Sequence, residues 1–107
     1  MFLQRRFIQE QGHANRYPQA GHRAALVISP AIYNAKTGLM VCCPLSSKIT
    51  GHPFEVLTEV DGAPGAVLSD QVKSLDWKAR RAKKKGQVGP EVMRHVRAKI
   101  KALLQIG

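Results

Sequence analysis

Acidic side chains are scarce in this sequence. Seven Asp and Glu stand against seventeen Lys and Arg in 107 residues, a formal net charge of +10. Cysteine is scarcer still: Cys42 and Cys43 are the only two, and they are adjacent. That arrangement offers neither a conventional disulfide nor a metal half-site of CxxC spacing. Neighbouring residues of a strand face opposite ways, so two reduced thiols on opposite faces of a core strand are expected. His13, His22, His52 and His95 share no ligand spacing with each other or with the cysteines. No metal and no cofactor is therefore expected. No apolar run approaches the ~18–20 residues of a bilayer span. The charged residues 1–7 are not followed by the apolar region of a secretory signal, and a cytoplasmic location is expected. There is no internal repeat and no low-complexity linker, which points to one domain over residues 1–107.

What is present is a hydrophobic share of 44%, enough for a folded core and too much for a disordered chain. A domain this small leaves ~35–40% of its unfolded surface exposed after folding, so burial of more surface in a homodimer is favoured. The charge is placed unevenly. Residues 1–72 carry six Lys or Arg against five Asp or Glu, whereas residues 73–107 carry eleven against two. Such an imbalance suits an anionic partner, either a nucleic acid or an acidic protein segment.

Two short apolar runs, residues 24–28 and 39–43, read as buried strands, each too short for an ordinary helix. Pro30 stops the first, and residues 34–38 carry the turn chemistry of a connecting loop. Gly21, His22 and Arg23 precede the first strand; Ser46, Ser47 and Lys48 follow the second. Antiparallel pairing would bring an arginine and two hydroxyls together at one end of the sheet. Guanidinium and short hydroxyls are suited to holding a phosphate.

Further along, residues 54–58 alternate as a half-buried strand should, and residues 61–65 (DGAPG) read as a turn. A strand is expected from residue 66 to about residue 75. Trp77, the sole tryptophan, is assigned to the core or to a subunit interface. Residues 78–85 (KARRAKKK) suit a short helical turn or an ordered loop. Residues 89–106 are the clearest helix, with Pro90 in the first turn, Glu91 at the positive end of the dipole, and a stripe of Val92, Met93, Val96, Ile100, Leu103 and Leu104. At the other end, Phe2, Leu3, Phe7 and Ile8 suit a short strand, and residues 9–16 are polar without a period. The N-terminal segment is expected to be the least ordered, or to pair in an unusual way.

Taken in order, QAGHR, an apolar strand ending in SP, YNxKTG, a second strand, PxSS, GxPFEV and DQVKSLDW resemble the MazF/PemK family of toxin ribonucleases. The resemblance runs from Gln19 to the C-terminus. Residues 1–18 diverge from the family pattern: no Gly-Asp strand is visible, and Pro18 stands where the family has a glutamate. The family implies a mainly β, α+β fold, a small SH3-like or CcdB-like antiparallel β-barrel with a C-terminal helix. It also implies a homodimeric toxin of a type II toxin–antitoxin system, which cuts single-stranded mRNA without a metal and is neutralised by an acidic, MazE-like antitoxin.

In such cleavage the substrate's own 2′-hydroxyl attacks the adjacent phosphate. The protein assists proton transfer, worth ~10²–10⁴-fold, and stabilises the extra negative charge. By resemblance the central roles fall to Arg23 and Ser46, with Gln19, His22 and Ser47 in support. Gln71 and Lys73 match the family's RNA-contacting strand, and Lys48 and Arg80 join them as RNA-binding residues on charge. A second reading stays open, a non-catalytic dimer that binds antitoxin or RNA without cutting. A gyrase poison of CcdB type is disfavoured, because the C-terminal helix lacks the tryptophan those toxins use.

Overall fold

The computed structural model describes residues 6–11, 22–60 and 62–106. At its centre lie β2 (His22–Val27) and β3 (Leu39–Ser46), paired antiparallel with Leu26 opposite Cys43 and Val27 opposite Cys42. Alternation sends their side chains to two separate cores. Leu26 and Cys43 join Val56, Val67, Val88, Met93 and Val96 on one face. Ala25, Val27, Met40, Cys42 and Leu75 cluster on the other, with Trp77 and Ala82 packed against them. Both strands are apolar without a break because both faces are covered. The two cysteines are free and buried, one in each core.

The link between these strands is a helix, α1 (Ala31–Thr37), where the sequence reads as a loop. Pro30 is extended at its start, and Gly38 ends it at φ +76°, a conformation costly for any residue with a Cβ. Tertiary bonds decide the matter. Asn34 is buried; its Oδ1 accepts the Ser29 hydroxyl at 2.6 Å, and its backbone carbonyl accepts both the Gly38 N–H at 3.0 Å and the Trp77 indole N–H at 2.9 Å.

The described strands run β4 (Glu55–Val60), β5 (Ala63–Leu68), β3, β2, β1 (Arg6–Gln11) and β7 (Lys83–Gln87), with β6 (Lys73–Asp76) also pairing β3. Among the described strands the sheet does not close into a barrel: β4 and β7 end its path, and β6 branches beside β3. Helix α2 (Pro90–Leu104) packs on β4 and covers one face instead. Met93 and Val96 are buried, but Leu103 and Leu104 are 41% and 53% exposed. The apolar stripe outruns the surface available to cover it.

Several boundaries differ from the sequence reading, each for a pairing reason. β1 continues through polar Gln9, Glu10 and Gln11, because it is bonded to β2 on one side and to β7 on the other. Residues 12–16 of the same polar stretch lie outside the described residues. Within the expected DGAPG turn, Gly62 is a turn residue at φ +79°, while Ala63, Pro64 and Gly65 already pair with β4; residue 61 lies outside the described residues. The basic stretch 78–85 is a turn followed by the edge strand β7, where lysines also discourage edge-to-edge association. The strand expected over residues 66–75 is broken by a 3-10 turn, Ser69–Gln71. That break falls where β3 changes partner, from β6 at Cys42 to β5 at Leu45. Pro44, with no N–H to give, occupies the gap.

Candidate functional site

The partner change on β3 opens a cleft of about 250 Å³ beside the 3-10 turn, lined by Ser46, Lys48, Thr50, His52, Glu55, Leu68, Asp70 and Gln71. One wall is the connection from β3 to β4, and the other is the turn. Neither wall is a slack loop. Ser69 is fully buried, and its hydroxyl and N–H both donate to the Phe54 carbonyl, at 2.5 and 3.1 Å. Lys99 on α2 reaches over to the Pro53 carbonyl at 2.5 Å. The helix therefore braces the wall of the cleft.

Within the connection, Glu55 acts as an internal staple. Its carboxylate accepts the Thr50 hydroxyl at 2.8 Å, the Thr50 N–H at 3.2 Å and the Gly51 N–H at 2.9 Å. The Thr50 hydroxyl contributes most to holding this carboxyl below the usual glutamate range, since donors stabilise the charged form. His52 accepts the Phe54 N–H on Nδ1 at 3.1 Å. An imidazole accepting there carries its proton on Nε2. The ring itself is exposed.

Ser46 is the residue through which β3 enters the cleft. Its hydroxyl accepts the Lys48 N–H at 3.0 Å and donates to the Lys48 carbonyl at 3.2 Å. Lys48 is thus turned back beside Ser46 by a closed local motif. Across the sheet, β2 and β3 pair antiparallel from Val27–Cys42 to Ala25–Pro44; Arg23 lies two residues before Ala25, and Ser46 two residues after Pro44. On its other edge Arg23 pairs with Glu10, and His22 with Gln11. Arg23 and Ser46 thus flank the same end of the β2–β3 pair.

The remaining candidates divide. Gln71 lines the cleft with Ser46 and Lys48. Ser47 is exposed at the bend after β3, outside the lining. Lys73 is exposed on β6, paired with Cys42, and Arg80 is half-buried in the turn after β6, its N–H on the Asp76 carbonyl at 3.1 Å; neither joins this cleft. Gln19 lies outside the described residues. Thr50, His52, Glu55 and Asp70 went unread as site residues. Glu55 alternates as the solvent face of a strand, and its real partners lie four and five residues back. Asp70 reaches the cleft only because β5 breaks beneath it. Among the described residues no three His, Cys, Asp or Glu side chains cluster as metal ligands.

The model of the PemK-like, MazF-like toxins of type II toxin–antitoxin systems matches residues 6–104. The chain belongs to this family. It is 49% identical over 86 residues to the endoribonuclease toxin MazF of Escherichia coli, covering 80% of this chain and 78% of that protein. It is 30% identical over 96 residues to the endoribonuclease PemK of Escherichia coli, covering 82% and 70%. The fold matches MazF in a MazE–MazF crystal structure (Form-II) from Deinococcus radiodurans, with a TM-score of 0.82 and 38% identity over 97% of this chain and 94% of that one. The matched span includes the divergent N-terminal strand, and the MazF-type architecture holds across the open sheet and its covering helix.

Proposed function

We propose that this MazF-family toxin is a ribonuclease that cuts single-stranded RNA at its Arg23–Ser46 end of the sheet. The chain is an endoribonuclease toxin of a type II toxin–antitoxin system. What supports the site is the antiparallel pairing of β2 with β3, which leads toward Arg23 on one strand and Ser46 on the other, together with the polar cleft that Ser46 lines. The substrate's 2′-hydroxyl attacks the neighbouring phosphate and expels the 5′-oxygen, leaving a 2′,3′-cyclic phosphate. Arg23 neutralises the charge that builds on the phosphoryl oxygens, a permanent cation being suited to nothing else in the reaction. Ser46 adds a hydrogen bond to the same group. His22, Gln19 and Ser47 support that end of the sheet, and Lys48, Gln71, Lys73 and Arg80 hold the flanking RNA.

The toxin works as a homodimer in the cytoplasm, restrained by an acidic, MazE-like antitoxin that occupies the basic surface. Purified protein incubated with a long RNA in EDTA, followed by mapping of both new ends, tests this reading. Discrete cuts with 2′,3′-cyclic phosphate ends are expected. Intact RNA, or 5′-phosphate products that require a divalent cation, would overturn it.

A further inference from the structure

Beyond Ser46, the described lining of the cleft is more acidic than basic. Among the described residues its lining holds one lysine, Lys48, against two carboxylates, Glu55 and Asp70, in a chain of formal net charge +10. Beside these two carboxylates an uncharged nucleobase is better accommodated than a phosphodiester. The two carboxylates also differ. Glu55 is engaged by the donors of Thr50 and Gly51. Among the described residues no side-chain hydrogen bond engages the Asp70 carboxylate, which is exposed at the cleft. It is an acceptor without a donor.

The other wall supplies a flat surface. His52 is exposed and borders the cleft, with Phe54 behind it at a ring separation of 5.9 Å and a tilt of 41°. Its Nδ1 is occupied by the Phe54 N–H, so the ring is held in place by the loop. Bases of single-stranded RNA are read in this manner, stacked on a ring and hydrogen-bonded along an edge. At about 250 Å³ the cleft is smaller than the ~300–1,000 Å³ sites that take drug-sized ligands, a size suited to one base.

We propose that this cleft is a nucleobase subsite in which His52 provides the stacking face and Asp70 accepts from an exocyclic amino group, so that adenine, cytosine or guanine is admitted and uracil is refused. Gln71, beside Asp70, offers an amide to the same edge. Uracil alone has no exocyclic amino group: it presents O4 where cytosine presents its N4 amino group, and an oxygen facing the Asp70 carboxylate is repelled. This inference rests on the RNA-cleaving reading and adds to it the base chemistry of one position.

The test uses hexamers of A, C or U with 2′-fluoro sugars, which lack the attacking hydroxyl, in fluorescence-anisotropy titrations of the intact protein. Wild type should bind the A and C hexamers about tenfold more tightly than the U hexamer. Asp70→Asn replaces an acceptor by a group that both donates and accepts, and should bring the three affinities to within about twofold of one another. His52→Asn keeps an acceptor for the Phe54 N–H but removes the ring, and should weaken every hexamer about tenfold. Unchanged thermal unfolding of both variants separates these effects from misfolding. An Asp70→Asn ratio equal to that of wild type overturns the proposal. So does a uniform gain in affinity with a changed salt slope, which would mean that Asp70 faces a phosphate. In either case RNA binding persists and the ribonuclease reading stands; failure to bind any hexamer would bring down both.

Discussion

Ser46 and Lys48 are joined by two hydrogen bonds through one hydroxyl, 3.0 Å from the Lys48 N–H and 3.2 Å to the Lys48 carbonyl. The residue that the family resemblance assigns to the phosphate is thus also the residue that shapes the mouth of the cleft. Both bonds are exposed, so their contribution to stability sits at the lower end of ~0.5–1.5 kcal/mol each. Ser46→Ala should therefore lower RNA cleavage clearly while shifting urea unfolding by less than about 1 kcal/mol. Ser46→Thr keeps the hydroxyl and narrows its rotamers, and cleavage should be retained or raised. A stability loss in Ser46→Ala as large as its loss of activity would show that the hydroxyl serves the loop alone.

Arg23→Ala should be the more damaging change. Loss of one preorganised donor to a developing oxyanion costs ~2–4 kcal/mol in the barrier, about a hundred- to a thousandfold in rate. Arg23→Lys should not restore wild-type cleavage, because an ammonium lacks the planar fork. Single-turnover rates on an end-labelled RNA at saturating enzyme decide this, and a fully active Arg23→Lys would remove the fork from the mechanism.

The connection from β3 to β4 should loosen in acid. The Glu55 carboxyl titrates below its ordinary value of 4.5 in the folded protein, chiefly through the Thr50 hydroxyl. A depressed folded pKa contributes stability above the unfolded pKa, and that contribution is lost as pH falls through the folded one. Urea midpoints measured from pH 6 down to pH 3 should fall for wild type more than for Glu55→Gln. Parallel curves for the two proteins would show that the staple has no share in acid stability.

Neither cysteine should react in the folded protein. Both are fully buried, and burial first, then the neighbouring Cys42 and Asp70 charges, pushes the Cys43 thiol up to about 12. A thiol at that value holds almost no thiolate at pH 8. Iodoacetamide should modify neither residue until denaturant is added. Rapid native labelling of Cys43 would mean that the core around α2 opens readily.

Antitoxin and RNA should compete, and the affinity of each should fall with salt, since eleven of the seventeen cationic residues lie in residues 73–107 and their counterions are released on binding. Titration of labelled RNA against an acidic antitoxin peptide checks this. Undiminished RNA binding at saturating peptide would place the two on separate surfaces. Sedimentation in the same buffer should show a dimer at micromolar protein.

Local chemistry determined much of this protein. The unbroken apolar runs around Leu26 and Cys43 made two central strands, adjacency put the two thiols on opposite faces, and Pro90, Glu91 and the stripe through Val96 made the last helix. The ordered motifs from Gln19 onward carried the family. The antiparallel pairing of the two central strands, with Arg23 and Ser46 at its one end, was legible from the residues that bracket them. Tertiary structure alone decided the rest. Residues 31–37 fold as a helix because Asn34 meets Ser29 and Trp77, and residues 9–11 extend because β2 pairs with all three and β7 with Gln9. The cleft exists because β3 exchanges β6 for β5 around Pro44, which breaks the next strand and turns Asp70 toward Glu55 and His52. Contacts between residues fifteen or more positions apart leave no local period behind, and the groups that line the cleft meet only once the sheet has formed.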